Sequence, residues 1–331
     1  MYYEHIKYQN RPKIQCFAVM INNRMAHFHN DLELLYVLDG TVCVECKGKT
    51  YTLHTQDILI LDRNEVHCLH RTNEDNLLLA LQFDPSDMME LSPKFMGIRL
   101  IKHLYSVSDG EQYTALKQLF ITILNHYTVQ DPSLPLKKMQ LICDICILLS
   151  EKLDSIVLSD QRLARETQNN HRLIEIMDYI NQNYTNHLSL NQTANQFGLS
   201  APYLSRLFKE NIGVTFSQYL ARTRVHRAAQ MIAGSPQNLL DICMACGFST
   251  LHYFNKAFYA EFSCKPSEYR GATKTIKYYF FTPQEKEDGS TEHIIIDVRP
   301  FLDYLQNPSK TVLLSSFPEI APTNVMTSHA P

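Results

Sequence analysis

The stretch "NLLDICMACGFSTLHYFNKAF", residues 238–258, decides the fold of the C-terminal half of this chain. Its apolar spacing predicts a short helix that ends at Gly247, where glycine supplies the positive φ of a tight turn. Ser249 or Thr250 then caps a second helix. Two short helices joined by a turn that contains glycine form a helix-turn-helix.

The same pattern occurs a second time in "LSLNQTANQFGLSAPYLSRLFKENIG", residues 188–213. There Ser189 and Gln192 have the spacing of a capping box, Gly198 makes the turn, and Ser200 caps the second helix. Between the two units lies a helical stretch that begins at Thr215 and is about 25 Å long. Two recognition helices on such a spacer fit major-groove segments about 34 Å apart.

The motif residues of this segment resemble those of the AraC family of bacterial transcription regulators, and the resemblance covers residues 171–270. The motif positions are Leu190, Ala194, Gly198, Ser200, Leu204, Arg206, Phe208, Lys209, Tyr219, Arg224, Ala228, Ile242, Gly247, Phe248, Phe254, Phe258, Pro266, Tyr269 and Arg270. The order G-F-x5-F-x3-F-x7-P-x2-Y-R in the second unit is long and specific.

This resemblance implies which residues contact DNA. They are Ser200, Ala201, Pro202, Ser205, Arg206 and Lys209 in the first unit, and Thr250, His252, Asn255 and Lys256 in the second. Arg and Lys suit guanine edges, Asn suits adenine, and Lys209 suits a phosphate. Each of them could instead be a solvated surface residue. We expect Arg224 and Arg270 to hold helices together or to touch phosphate.

The charge distribution indicates the same segment as the DNA-binding part of the chain. The whole chain has a net charge of −3, but residues 170–271 contain nine Lys and Arg against six Asp and Glu. Excess positive charge is therefore confined to the segment that contains the two helix-turn-helix units.

Residues 14–83 have a different pattern, with short apolar strands separated by turns such as Asp39-Gly40, which predicts a small β-barrel or sandwich. Within it, "AHFHNDLELLYVLDG", residues 26–40, resembles the first cupin motif through His27, His29 and Glu33. His67 has the spacing of a fourth ligand. This resemblance implies a divalent transition metal such as Fe, Mn, Ni or Zn. The same side chains could instead line a pocket for a small molecule, often a sugar, or be purely structural.

Three further segments follow from periodicity and composition. Residues 111–154 contain two amphipathic helices, which could form a dimer contact or cover the open face of the barrel. Residues 156–170 are polar, and we predict a linker there. Residues 272–331 contain strand-like and helical stretches of unknown role, followed by a polar end.

The nine cysteines include the C-x-x-C pair Cys43/Cys46, which suggests zinc. Residues three apart in a strand point to opposite faces, so we expect reduced, buried thiols. No apolar run reaches the roughly 18 residues of a membrane span, and the N-terminus has no apolar secretory signal, which indicates a cytoplasmic protein.

The sequence therefore predicts a multi-domain α+β protein. Its predicted parts are a cupin-like sensor barrel at 1–110, a helical pair at 111–155, a linker at 156–170, an all-α DNA-binding domain at 171–271 with helix-turn-helix units at 188–211 and 238–262 joined by a long helix, and an extension at 272–331.

We expect a DNA-binding regulator that is controlled by a small-molecule effector, and not an enzyme. Expected partners are double-stranded promoter DNA, the effector, a second copy in a homodimer and, for an activator, RNA polymerase. We expect no membrane partner and no cofactor other than the barrel metal left open above. The alternatives are a metal-dependent cupin enzyme, and a regulator controlled by a protein partner.

Overall fold

The computed structural model describes residues 2–4, 6, 8, 11–21, 23–88, 92–128, 132–262, 264–270, 277–280, 294–295 and 298–307. Contacts divide the chain into two compact units. Of the described residues, the larger unit contains those within 5–24, 29–163 and 275–331, and the smaller one contains those within 1–4, 25–28 and 164–274. The predicted combination of an antiparallel β-domain and a helical C-terminal domain is confirmed.

Strands make up most of the N-terminal part. They are β1 (Tyr2–Tyr3), β2 (Ile14–Met20), β3 (Asn23–Phe28), β4 (Leu32–Cys46), β5 (Lys49–His54), β6 (Ile58–Leu61), β7 (His67–Phe83), β8 (Ile98–Leu100), β9 (Leu104–Tyr105), β10 (Ser155–Val157), β11 (Lys277–Phe280) and β12 (Ile294–Ile295). Seven of them follow the order β12-β11-β2-β7-β4-β6-β9 in one sheet, with β5 paired to β4.

Strand β4 shows why this sheet has an almost continuous apolar sequence. Leu34 and Tyr36 point into one hydrophobic cluster, and Leu35 and Val37 point into another on the opposite face. Because both faces are covered, the strand needs apolar side chains at successive positions instead of strict alternation. At Gly40 the register shifts and φ is +73°, and an added Cβ would lie 1.8 Å from the carbonyl oxygen of Asp75.

Three helices cover the first of these faces: α1 (Glu111–His126), α2 (Leu134–Glu151) and α10 (Arg299–Gln306). Phe120 and Ile145 are fully buried against the same cluster that contains Tyr36. The apolar faces of α1 and α2 therefore cover their own β-domain, which was one of the two sequence alternatives. The part of the C-terminal extension that the structure describes joins this unit, since β11 pairs with β2 and Phe301 of α10 enters the core.

The helical unit contains the remaining helices, except for the first residues of α3, which precede Ala164. These helices are α3 (Asp160–Asn183), α4 (Leu190–Gln196), α5 (Ala201–Asn211), α6 (Phe216–Gly234), α7 (Leu239–Ala245), α8 (Leu251–Phe262) and α9 (Pro266–Tyr269). The predicted capping box forms at Ser189 with Gln192, and a second one forms at Thr215 with Gln218. These boxes satisfy backbone N–H groups that have no partner inside the helix, and so they fix where α4 and α6 begin.

The predicted polar linker at 156–170 differs from the structure. Residues 155–157 form β10, and α3 begins at Asp160, so most of the predicted linker is helical. The apolar stripe of α3 begins only at Leu173, and the preceding turns are largely solvated. A solvated helical turn has the same polar composition as a linker, so composition alone could not distinguish the two. Among the described residues, no helix has the length and apolarity needed to cross a membrane.

Candidate functional site

The two predicted recognition helices, α5 and α8, begin where their caps place them. The Ser200 hydroxyl accepts a hydrogen bond from the Tyr203 backbone N–H at 3.4 Å, and the Thr250 hydroxyl accepts one from the Tyr253 N–H at 3.2 Å. Each cap follows a glycine in the left-handed region, with φ of +65° at Gly198 and +80° at Gly247. The turn and the cap together set the direction in which each helix leaves.

Helix α5 separates a buried face from an exposed one. Leu204, Leu207 and Phe208 are buried. The predicted DNA-contact residues of this unit lie at the other positions: Ser200, Pro202, Arg206 and Lys209 are exposed, and Ala201 and Ser205 are half-buried. The Arg206 guanidinium lies over the Tyr203 ring, 5.6 Å from its centroid. Lys209 Nζ donates to the Gly213 carbonyl at 3.0 Å, beyond the C-terminal end of the helix.

Helix α8 is arranged in the same way. Phe254 and Phe258 are fully buried in a cluster of aromatic rings, while the predicted contact residues Thr250, His252, Asn255 and Lys256 are all exposed. Tyr253, which the sequence analysis did not select, is 45% exposed on the same helix. In the sequence, Tyr253 is only an aromatic residue next to the buried positions of α8. A core residue of the helix has the same pattern.

Two arginines of the motif hold the helical unit together. Arg224 on α6 donates from Nε to the Tyr184 carbonyl at 2.7 Å and from Nη2 to the Asn186 carbonyl at 2.8 Å. Arg270 donates to the Gln237 carbonyl. Both contacts connect segments more than 30 residues apart in sequence. They therefore have the helix-holding role that was one of the expected alternatives.

A second group of polar side chains lies buried in the β-domain around Glu33. His29 Nε2 and His67 Nε2 each lie 3.3 Å from Glu33 Oε2, and Gln82 Nε2 donates to Glu33 Oε1 at 2.9 Å. Burial alone would raise the pKa of Glu33, but hydrogen bonds from the two histidines and their charge hold it well below its usual range. Gln82 was missed by the sequence analysis, although a Gln inside the apolar run of β7 is a signal of a buried polar contact.

The histidine rings are held by the backbone. Nδ1 of His29 lies 3.1 Å from the Asp31 carbonyl oxygen, and Nδ1 of His67 lies 2.8 Å from that of Glu65. A ring whose Nδ1–H is bound in this way directs Nε2 toward a carboxylate, a ligand or a metal. His27 is fully buried. Within the larger unit, Nε2 of His29 and Nε2 of His67 meet at the Glu33 carboxylate, and these donor types fit a divalent transition metal.

Comparison with known proteins agrees with these geometries. Residues 193–272 match the family described as a helix-turn-helix domain, and residues 23–81 match the family described as a cupin domain. The chain joins a cupin domain to an AraC-type helix-turn-helix domain. The matched residues 193–272 include both predicted recognition helices, α5 and α8.

Several individual proteins are similar to this AraC-type chain. The HTH-type transcriptional activator RhaS of Klebsiella pneumoniae (strain 342) is 23% identical over 252 residues, which cover 76% of this chain and 88% of RhaS. An AraC-type regulator structure from Chromobacterium violaceum is 30% identical, with a TM-score of 0.30, and covers 32% of this chain and 94% of its own. Fatty acid-bound ToxT from Vibrio cholerae is 14% identical, with a TM-score of 0.43, over 81% of this chain and 100% of its own.

An uncharacterized HTH-type transcriptional regulator of Staphylococcus aureus (strain COL) is 22% identical over 298 residues. The match covers 89% of this chain but only 39% of that relative, so the chain spans about two fifths of its length.

Proposed function

We propose that this AraC-type chain is a sequence-specific DNA-binding transcription regulator that responds to a small-molecule effector bound in its cupin domain. The observation that supports DNA binding most directly is the shared design of α5 and α8. Each helix is anchored by buried residues on one face and presents a cation and small polar groups on the other. This arrangement is typical of helices that enter the major groove.

The DNA contact proposed for each exposed residue of α5 and α8 follows from the chemistry of its side chain. Arg206 and Lys256 are the exposed cations in the middle of α5 and α8, and they suit the O6 and N7 acceptors of guanine. Asn255 suits adenine, and His252 is a further candidate for a base contact. Ser200 and Thr250 are placed at helix N-termini, where backbone N–H groups favour a phosphate. Through these contacts the helices would position the chain on promoter DNA as well as select its sequence.

The effector proposal rests on the polar cluster inside the cupin domain. Imidazole and carboxylate groups such as those of His29, His67 and Glu33 bind hydroxyl groups well, so a hydroxylated metabolite such as a sugar suits them. A homodimer would present two such chains to paired half-sites. If the effect is activation, RNA polymerase is the further partner.

DNA binding can be tested with a matched set of variants. We expect Arg206→Ala and Lys256→Ala each to weaken binding to the cognate promoter by about 5- to 150-fold, which corresponds to about 1–3 kcal/mol for one base contact. Arg165→Ala removes an exposed cation at the start of the same helical unit and should leave affinity unchanged at fixed salt. Promoter binding by the Arg206→Ala/Lys256→Ala double variant with wild-type affinity and salt dependence would contradict the proposal.

The effector is tested separately by thermal shift with panels of sugars and other small metabolites. A stabilising compound should lose its effect in Glu33→Gln, because the carboxylate that orders His29, His67 and Gln82 is gone. If no compound stabilises the wild-type chain while promoter binding is intact, the proposal of an effector is replaced by the alternative that a protein partner controls the chain.

A metal-dependent cupin enzyme is the second candidate, favoured by the convergence of Nε2 of His29 and Nε2 of His67 on Glu33. Stoichiometric metal that is lost in His29→Ala, together with turnover of a substrate, would support it. Metal-free protein that still binds its promoter would exclude it.

A further inference from the structure

A separate group of metal-ligand side chains lies on the outer side of the β4–β7 pair. In the antiparallel register, Cys43 lies opposite His70, and Glu45 lies opposite Cys68. Because side chains alternate along a strand, these four point to one face, and Val44, Cys46 and Leu69 point to the other. The latter three belong to the buried cluster inside the domain, which places the four ligand residues outside it.

The distances within this outer group suit a shared ion. His70 Nε2 lies 3.2 Å from Cys68 Sγ, and Cys68 Sγ lies 3.7 Å from Glu45 Oε2. Ligand atoms of Glu45, Cys68 and His70 all lie within 4.8 Å of one another. In a tetrahedral zinc site, bond lengths near 2.0–2.3 Å separate neighbouring ligand atoms by about 3.6 Å. The separations of Cys68 Sγ from His70 Nε2 and from Glu45 Oε2 are close to the edge length of such a tetrahedron.

Cys43 lies beside this group in the strand register and offers a fourth donor. Its cross-strand partner is His70, and directly opposed side chains have Cβ atoms about 4.5–5.5 Å apart, which is within reach of a common ion. Cys43 is diagonal to Cys68, and diagonal neighbours are about 7–8 Å apart, beyond the usual span of a disulfide. Neither Cys43 nor Cys68 takes part in a disulfide in the part of the chain that the structure describes. A bridging cation therefore joins Cys43 to Cys68 with less backbone movement than a disulfide requires.

We propose that Cys43, Glu45, Cys68 and His70 form a binding site for zinc or a similar thiophilic divalent cation on the outer face of the cupin domain. Two sulfur donors, one imidazole and one carboxylate are the ligand types that select zinc over Mg²⁺ or Ca²⁺. The site differs from the inner histidine cluster in its residues, its face of the sheet and its sulfur ligands. The proposal does not depend on the regulator function proposed above.

The exposure of these residues allows the cation to enter. Glu45 is exposed, Cys43 and His70 are half-buried, and Cys68 is 8% exposed. The solvated carboxylate can receive a hydrated ion and pass it to the deeper thiol. Since Cys68 follows His67 directly in β7, a cation held there also restrains the backbone that presents His67 to Glu33. The outer site is thus placed to influence the polar cluster inside the domain.

The test uses the full-length chain, reduced and stripped of metal, in a His29→Ala/His67→Ala background that disables the inner cluster. Titration with Co²⁺ should give one equivalent of tetrahedral cobalt with a thiolate-to-cobalt charge-transfer band, and Zn²⁺ should displace it. Cys68→Ser should abolish the band, and Cys43→Ser should weaken it. Cys264→Ser removes a half-buried thiol of the helical unit and should leave the band unchanged.

Other outcomes overturn the proposal. The first is that the parent chain shows no charge-transfer band. The second is that the band survives when Cys68→Ser and Cys43→Ser are combined. The third is that Cys43 and Cys68 form a disulfide and that metal binding does not return when this disulfide is reduced. If Cys68→Ser does not fold, His70→Gln provides the same test on a half-buried side chain. The zinc affinity of the His70→Gln variant should be lower than that of the parent chain by about tenfold or more. Even residues that only orient metal ligands change metal affinity by that factor.

Discussion

His226 Nε2 lies 2.8 Å from Glu261 Oε1, and this contact connects α6, the helix between the two helix-turn-helix units, to α8. Arg222 Nε lies 3.0 Å from the other oxygen of the same carboxylate. Burial alone would raise the pKa of Glu261, but the hydrogen bond from His226 and the charges of His226 and Arg222 lower it to about 2. Burial lowers the pKa of His226 to about 4, although Glu261 opposes this shift.

Acid should therefore destabilise the helical unit. The folded-state pKa of His226 is about 4 and its ordinary value is 6.5, so the unfolded chain takes up the proton first. The contribution of His226 is complete above about pH 6.5 and is lost as the pH falls toward 4, because the unfolded chain then binds more protons than the folded chain. Glu261 adds a similar loss as the pH falls from 4.5 toward 2. Urea unfolding followed at several pH values measures both slopes.

A pair of histidine variants isolates the pH dependence of stability that His226 causes. His226→Gln keeps a donor beside Glu261 but does not titrate, so its stability should change little between about pH 6.5 and 5. His252→Gln replaces an exposed histidine on α8 and should keep the wild-type slope. Equal slopes in the two variants would show that His226 does not control acid stability.

The two glycine turns should differ in their tolerance of alanine. Both glycines have positive φ, which costs a residue with a side chain about 1–2 kcal/mol. At Gly198 an added Cβ meets nothing within 4 Å, but at Gly247 it lies 2.8 Å from the carbonyl oxygens of Tyr184 and Thr185. Gly247→Ala must therefore also move backbone, and we expect it to lower the free energy of unfolding by at least 1 kcal/mol more than Gly198→Ala. Denaturant midpoints compare the variants, and equal losses would contradict the close approach at Gly247.

The helix-turn-helix units were predictable because their signals are local. A capping box such as Ser189 with Gln192 acts within three residues, so sequence spacing alone defines it. The outer group on β4 and β7 was not predictable, since Cys43 meets His70 only through the sheet register. In the sequence, Cys43 is paired by spacing with Cys46, which points to the opposite face. Gln82 was missed for the same reason, because its partner Glu33 is 49 residues away.

Alanine substitutions at Arg224 and Arg206 should distinguish an effect on folding stability from an effect on DNA binding. Arg224 donates to two backbone carbonyls, and hydrogen bonds from a charged donor contribute about 1.5–3 kcal/mol each when buried. Arg224 is only half-buried, so we expect Arg224→Ala to lower the free energy of unfolding by about 1–2 kcal/mol. Arg206→Ala, at an exposed position, should change it by less than about 0.5 kcal/mol. Urea unfolding without DNA distinguishes them, and a stable Arg224→Ala chain would remove its structural role.

The C-terminal helix α10 should contribute to the stability of the β-domain. Phe301 is 1% exposed and lies in the same hydrophobic cluster as Tyr36 and Phe120. Phe301→Ala deletes the ring from a packed core, which typically costs about 3–5 kcal/mol. Gln306→Ala changes an exposed residue of the same helix and should be nearly neutral. Urea unfolding of the larger unit measures both effects, and wild-type stability in Phe301→Ala would mean that α10 does not form part of this core.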